Sequence, residues 1–246
     1  MAVSIWVGTS GFSYSHWRDV LYPSGVSSSR YLEYYSKEFR TVEINASFYR
    51  AINPNHVEKW YRDTPDWFRF AVKCPRSVTH ILRLEAAGEP MKEFAQSLSG
   101  FGDKLGPVLV QCPPSLRADE GLLRRFLDSV PENIGVLAFE FRHDSWFDEH
   151  LVEIAASKGC MVAHDFGKRN ALISYPGRIA YFRLHGPASD YSSSYSDDFL
   201  ASLADVVSAS AASKRDVYVY FNNDVGGCAV RNARTLIKLL EGACAC

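Results

Sequence analysis

Short apolar runs and longer amphipathic ones alternate along the whole chain. Eight runs have the length and composition of strands: Val3–Gly8, Thr41–Asn45, Phe68–Lys73, Val108–Cys112, Val136–Arg142, Cys160–Asp165, Ile179–His185 and Val217–Asn222. Helical spacing marks several of the intervals between them. It is clearest at Leu122, Leu123, Phe126 and Leu127, at Leu151, Ile154 and Ala155, at Phe199, Leu200, Leu203, Val206 and Val207, and at Ala233, Leu236, Ile237 and Leu240. Ser196 suits the N-cap of the third of these helices, because its hydroxyl can accept from an orphan N–H. Asp197 and Asp198 then fall in the first turn, where the helix dipole favours anions.

Strands alternating with helices imply parallel strands joined by right-handed crossovers. Eight of them in 246 residues match a single (β/α)8 TIM-barrel-like α/β domain better than an open doubly wound sheet. The expected domain is 1–242, with 243–246 as a C-terminal tail. The stretch FGKRNALISYPG between the sixth and seventh strands is too short for a helix and two loops, so that crossover is expected to be degenerate. No Gly-x-Gly-x-x-Gly follows the first strand, which argues against a dinucleotide fold.

Alternation within the strands carries the functional information. Successive side chains point to opposite sides of a sheet. Glu43 and Thr41 oppose Val42 and Ile44; Lys73 and Arg69 oppose Phe70 and Val72; Glu140 and Arg142 oppose Phe139 and Phe141. Tyr181, Arg183 and His185 oppose Phe182 and Leu184, and Tyr218, Tyr220 and Asn222 oppose Val219 and Phe221. The apolar face must meet the helices, so the polar set points into the barrel. Its charges gather at the strands' C-terminal ends, where barrel enzymes hold their active sites.

Composition narrows the partners. Lysine and arginine (27) nearly balance aspartate and glutamate (28), so no global field steers nucleic acid to the protein. The N-terminal MAVSIWVGTSG lacks the charged start and apolar run of a signal peptide, and no segment has the roughly 18 apolar residues of a membrane helix. A cytoplasmic protein with no membrane partner is expected. Six cysteines form no CxxC pair; Cys74, Cys112 and Cys160 read as small buried thiols, and Cys244-Ala-Cys246 as a frayed tail.

The blocks GTSGFSYSHW, TVEINASFYR, FAVKCPRSVTH, LGPVLVQCPPS, AFEFRHDSW, RLHG and VYFNND, followed by CAVRNARTL, run in one order across nearly the whole chain. Together they resemble the DUF72 (YecE-like) family. The resemblance implies a TIM-barrel-like fold with a polar cavity at the strand ends. It brings no settled activity.

The candidate catalytic residues are Glu43, Glu140, Asp165 and His185. Two carboxylates held in different environments can serve as acid and base, or as acid and nucleophile. The bland alternative is that each sits in an internal salt bridge. Lys73, Arg142 and Arg183 suit an anionic substrate, or else compensate those carboxylates. Gln111, Asn45, Asn222 and Asn223 are expected to orient a ligand or satisfy buried partners. Tyr14, Trp17 and Tyr49 could stack on one, although such rings more often fill a core or pin a loop. Trp146, Phe48 and Tyr181 join them at the expected mouth. His80 could shuttle a proton, though a lone loop histidine is more often a hydrogen-bonding surface residue.

The leading expectation is an acid/base enzyme, such as a hydrolase, acting on a small polar or anionic substrate without a cofactor. Glu140 would be its principal group and His185 the partner. The second is a divalent-metal-dependent isomerase or phosphoesterase/endonuclease-like barrel, because Glu140, Asp165, His185 and Asn222 or Asp224 include types that bind Mn²⁺, Mg²⁺ or Zn²⁺. The third is a non-catalytic module binding nucleic acid or protein, which the near-neutral charge disfavours.

Overall fold

The computed structural model describes residues 3–167 and 169–243; the expected tail cysteines Cys244 and Cys246 lie outside them. Eight parallel strands follow one another in chain order and close into a barrel. They are β1 Ile5–Ser10, β2 Thr41–Ile44, β3 Arg69–Lys73, β4 Leu105–Gln111, β5 Leu137–Glu140, β6 Gly159–His164, β7 Ile179–Leu184 and β8 Asp216–Phe221. The helices are α1 Tyr31–Glu38, α2 Ala46–Tyr49, α3 Pro54–Arg62, α4 Gly88–Leu98, α5 Glu120–Ser129, α6 Glu149–Lys158, α7 Asp197–Ala212 and α8 Cys228–Ala243. This is the expected (β/α)8 fold. No α-helix lies between β6 and β7 among the described residues, as the short connection predicts. The expected N-cap forms: Ser196 Oγ accepts from Phe199 N.

All eight expected strands occur, with ends displaced by a few residues. Thr9 and Ser10, too polar to count as strand, extend β1 because the ladder to β2 continues through Thr9↔Val42 and Ser10↔Glu43. Helix α3 is faint in the sequence because Val57 is its only fully buried residue, which leaves a narrow apolar stripe. No described helix is long and apolar enough to cross a membrane.

Two compact units divide the strands. The first comprises the described parts of Met1–Glu43, Ala163–Ser174 and Ala180–Cys246. In it β1 pairs with β2 and β8, placing Trp6 beside Tyr218 and Gly8 beside Tyr220. Trp6 stacks on Tyr218 at 4.7 Å, Tyr181 lies 5.2 Å from Tyr220, and the hydroxyls of Thr41 and Tyr220 are 2.6 Å apart. Polar and aromatic side chains of one strand face therefore meet one another. The opposite face, with Val7, Val219 and Phe221, is buried, and α8 packs against β1 and β8. Each such side chain contributes about 1.5–3 kcal/mol by leaving water. Gly8 is required where it stands, since a Cβ there would come within 2.1 Å of Thr41 O.

The second unit comprises Ile44–Val162 and Tyr175–Ile179. Its strands β3 to β6 pair in parallel, with a register shift between Phe70 and Val72, Lys73 opposite Leu109 and Gln111 opposite Glu140. The ends of β4 and β5 are thus level, and β3 ends opposite Leu109, just short of them. At the other end of β4, Lys104 is almost fully buried and acts as a cap for α3. Its Nζ donates to Tyr61 O at 2.6 Å and Thr64 O at 2.7 Å, and lies 4.3 Å from the Tyr61 ring centroid. Replacing Lys104 by Met keeps the stem but orphans both carbonyls. Urea denaturation should show Lys104→Met less stable by about 2–3 kcal/mol; a loss within ~0.5 kcal/mol would show that the cap is dispensable.

Candidate functional site

In the first unit the inward residues of β1, β2 and β7 converge on one carboxylate. Glu43, fully buried at the end of β2, accepts from Tyr181 Oη at 2.6 Å, from Arg183 Nε at 3.0 and 3.1 Å, and from Ser10 Oγ. Arg183 Nη2 completes the ion pair at 2.9 Å and also donates to Ser10 Oγ at 3.1 Å. Burial pushes the Glu43 carboxyl up, but the Arg183 charge and the hydrogen bonds from Arg183, Ser10 and Tyr181 outweigh it and hold the group below its ordinary 4.5. Burial and the Glu43 charge raise the Tyr181 phenol well above its usual value, so it stays a donor.

The network continues outward. Arg183 Nη1 donates to His185 Nε2 at 2.8 Å. A guanidinium can only donate, so the ring proton of His185 sits on Nδ1, which meets Asp165 Oδ1 at 3.1 Å. Asp165 also accepts from the His185 backbone N–H at 2.8 Å and from the Tyr195 hydroxyl. Tyr195 in turn accepts from Gly186 N at 2.6 Å. Both ring nitrogens of His185 are thereby engaged within the protein.

The second unit holds a different cluster. Glu140, fully buried at the end of β5, takes Arg142 Nε and Nη2, each at 2.9 Å, on a single oxygen. Lys73, at the end of β3, places Nζ 4.0 Å above the Phe48 ring centroid, a cation–π contact. The Phe48 and His80 rings meet at 85°, with centroids 5.0 Å apart. Desolvation, then the charges of Lys73, Arg76, Arg142 and Arg83, lower the His80 imidazole to about 4. It is neutral at physiological pH. His80 sits in a five-residue π-helical turn, Ser77–Ile81, followed by Arg83, Leu84 and Ala86 in left-handed conformations. Arg83 is anchored by two hydrogen bonds to Ser115, at 3.0 and 2.8 Å. Strain of this kind in non-glycine residues costs about 1–3 kcal/mol each and clusters at functional sites.

Of the remaining sequence candidates, Gln111 is buried and donates to Cys112 O at 3.1 Å. Asn45 precedes α2, and Tyr49 on α2 is 80% exposed. Asn222 is half-buried beyond β8; Asn223 is buried and donates to Ser193 O at 2.8 Å and Asn232 Oδ1 at 2.9 Å, tying two loops together. Three rings expected near a ligand serve the fold. Trp17 is fully buried with its indole N–H on Asp224 O, and Tyr14 Oη donates to Ser10 O. Trp146 is fully buried, stacks on Phe141 at 3.9 Å and donates to Leu116 O. Cys74, Cys112 and Cys160 are buried, and burial raises the first two thiols above their ordinary range.

Arg76 and Arg83, which act on His80, were not singled out from the sequence. Their only signal there is a pair of basic residues flanking SVTH. Tyr195 and Asn232 were missed because nothing in a Ser-rich loop or an amphipathic helix marks them. Among the described residues no three His, Cys, Asp or Glu side chains are grouped as a metal ion requires. Asp165 and His185 bond each other, and the second nitrogen of His185 faces a guanidinium, an arrangement that does not fit a divalent cation.

The family model described as "Protein of unknown function DUF72" matches residues 6–245. The UPF0759 protein YunF of Bacillus subtilis is 26% identical over 96% of this chain and 95% of its own length. The UPF0759 protein YecE of Escherichia coli is 30% identical over 63% of this chain and 54% of its own. A solved DUF72 family protein of Thermotoga maritima superposes with a TM-score of 0.85 at 32% identity, over 97% of this chain and 99% of that one. Another, from Enterococcus faecalis, gives 0.79 at 20% identity over 96% and 95%, a likeness of fold.

Because ionisation of Glu43 is favoured by folding, the stability it supplies is complete above 4.5 and drains away as pH falls through its lower folded value. Glu43→Gln should cost about 3–5 kcal/mol at neutral pH by leaving Arg183 buried without its partner. Its stability should also fall less steeply than the wild type's below about pH 4.5. Chemical denaturation at a series of pH values measures both; a neutral-pH loss under ~1 kcal/mol would show that the pair holds little together.

Proposed function

The chain belongs to the DUF72 family, and we propose that within its barrel the ends of β3, β4 and β5 bind a small polar anion on which an acid/base reaction, such as a hydrolysis, is performed. One observation carries this reading. Lys73 stands 4.0 Å above the Phe48 ring that meets His80 at 5.0 Å, Arg142 is paired with the buried Glu140, and the charges of Lys73, Arg76, Arg142 and Arg83 keep the His80 imidazole neutral. Fixed cations around a neutral proton-handling group suit an anionic ligand better than a neutral one.

Roles follow from the geometry. Lys73 supplies a point charge oriented by the Phe48 ring, and Arg142 a planar fork. Glu140 is the counter-charge of Arg142. An anion that draws Arg142 toward itself weakens that pairing and leaves the Glu140 carboxylate to accept a proton from the ligand or its attacking water. Glu43, Arg183, His185 and Asp165, whose polar atoms are directed at one another, hold strand ends in place rather than touch the ligand.

The test is Glu140→Gln, assayed on any small phosphate or carboxylate ester that the wild type hydrolyses in a panel of such compounds. General acid/base loss predicts kcat lower by about 10²–10⁴-fold, with Tm within a few degrees. Retained turnover, or a collapse in Tm matching that of Glu43→Gln, would make Glu140 a structural group and sink the assignment.

A further inference from the structure

His80 is oriented as well as neutral. The Thr79 hydroxyl lies 3.2 Å from Pro75 O, to which it donates, and 2.9 Å from His80 Nδ1. A hydroxyl has one proton. Given to Pro75, it leaves a lone pair facing Nδ1, so Nδ1 carries the ring hydrogen and Nε2 does not. Thr79 is fully buried and both residues belong to the π-helical turn, which makes the relay part of the backbone fold.

The charges that oppose protonation of this imidazole all belong to donors: Lys73, Arg142, Arg76 and Arg83. We infer that Nε2 of His80 is a hydrogen-bond acceptor of this site, and that the anion it takes is a protic one, carrying its own hydroxyl hydrogen. A hydrogen phosphate or monoprotonated phosphate ester qualifies; a sulfate, fully deprotonated and equal in shape, does not. The inference rests on the anion-site reading above. Bound sulfate would set an anionic oxygen against a lone pair, and a polar site rejects a ligand that lacks the hydrogen it was built to meet. The imidazole cannot escape by protonating near neutral pH, because burial and the same four cations oppose that charge.

The experiment uses the full chain, ¹⁵N-labelled, titrated at pH 7 and fixed ionic strength with inorganic phosphate and, separately, with sodium sulfate. Two-bond ¹H–¹⁵N correlation of the His80 ring should show protonated Nδ1 and bare Nε2. Phosphate should bind at least about tenfold more tightly than sulfate, shifting Nε2 as it does. Thr79→Val, isosteric and checked for folding by circular dichroism, should reduce the preference to within about threefold by releasing the ring. Equal affinities with both anions moving His80, or an Nε2–H tautomer in the wild type, would overturn this inference while leaving the anion site standing. If neither anion moves His80, both the inference and the site beneath it fall.

Discussion

A carboxylate cannot be buried without an answering set of donors, and the Glu43–Arg183 pair is where this chain meets that condition. Glu43 is fully buried, and Arg183, Tyr181 and Ser10 together fill its lone pairs. The four residues come from three strands, so satisfying one carboxylate fixes the inward register of β1, β2 and β7. Arg183 then spends a third nitrogen on His185, whose other nitrogen meets Asp165. Removing any member leaves a buried charge or donor unpaired, which costs more than the intact pair gains. Such a network suits a scaffold that must hold strand ends still.

The second cluster follows another rule. Around His80 the charges of Lys73, Arg76, Arg83 and Arg142 keep the imidazole neutral, and the backbone passes through a π turn and left-handed residues. Strain of this kind beside a neutral, cation-flanked imidazole is the basis for placing ligand chemistry at β3–β5.

Much of the architecture was legible in the residues. A strand has period two, so Glu43, Lys73, Glu140 and Arg183 could be read as one inward set from alternation alone. The helices with broad apolar stripes, α5 to α8, were equally plain, whereas α3, which buries only Val57, was faint. What alternation cannot convey is which inward residue meets which. Arg183 is expected from the sequence to bind substrate charge and His185 to partner Glu140, and the two are hydrogen-bonded to each other at the end of β7. Trp17, expected from the sequence to stack on a ligand, is buried with its N–H on Asp224 O. His80 looked like an ordinary loop histidine because a π turn leaves no mark in hydrophobic periodicity. Its significance depends on Arg76, Arg83 and Arg142 converging on it, which is a fact of tertiary structure.

Whether the cations around His80 serve a ligand is tested most simply by isothermal titration of inorganic phosphate into the wild type and into Lys73→Met. An anion site there predicts saturable binding by the wild type that weakens as salt rises, and at least a tenfold loss in Lys73→Met with folding intact. Identical isotherms for the two proteins, or no binding by the wild type at low salt, would contradict it.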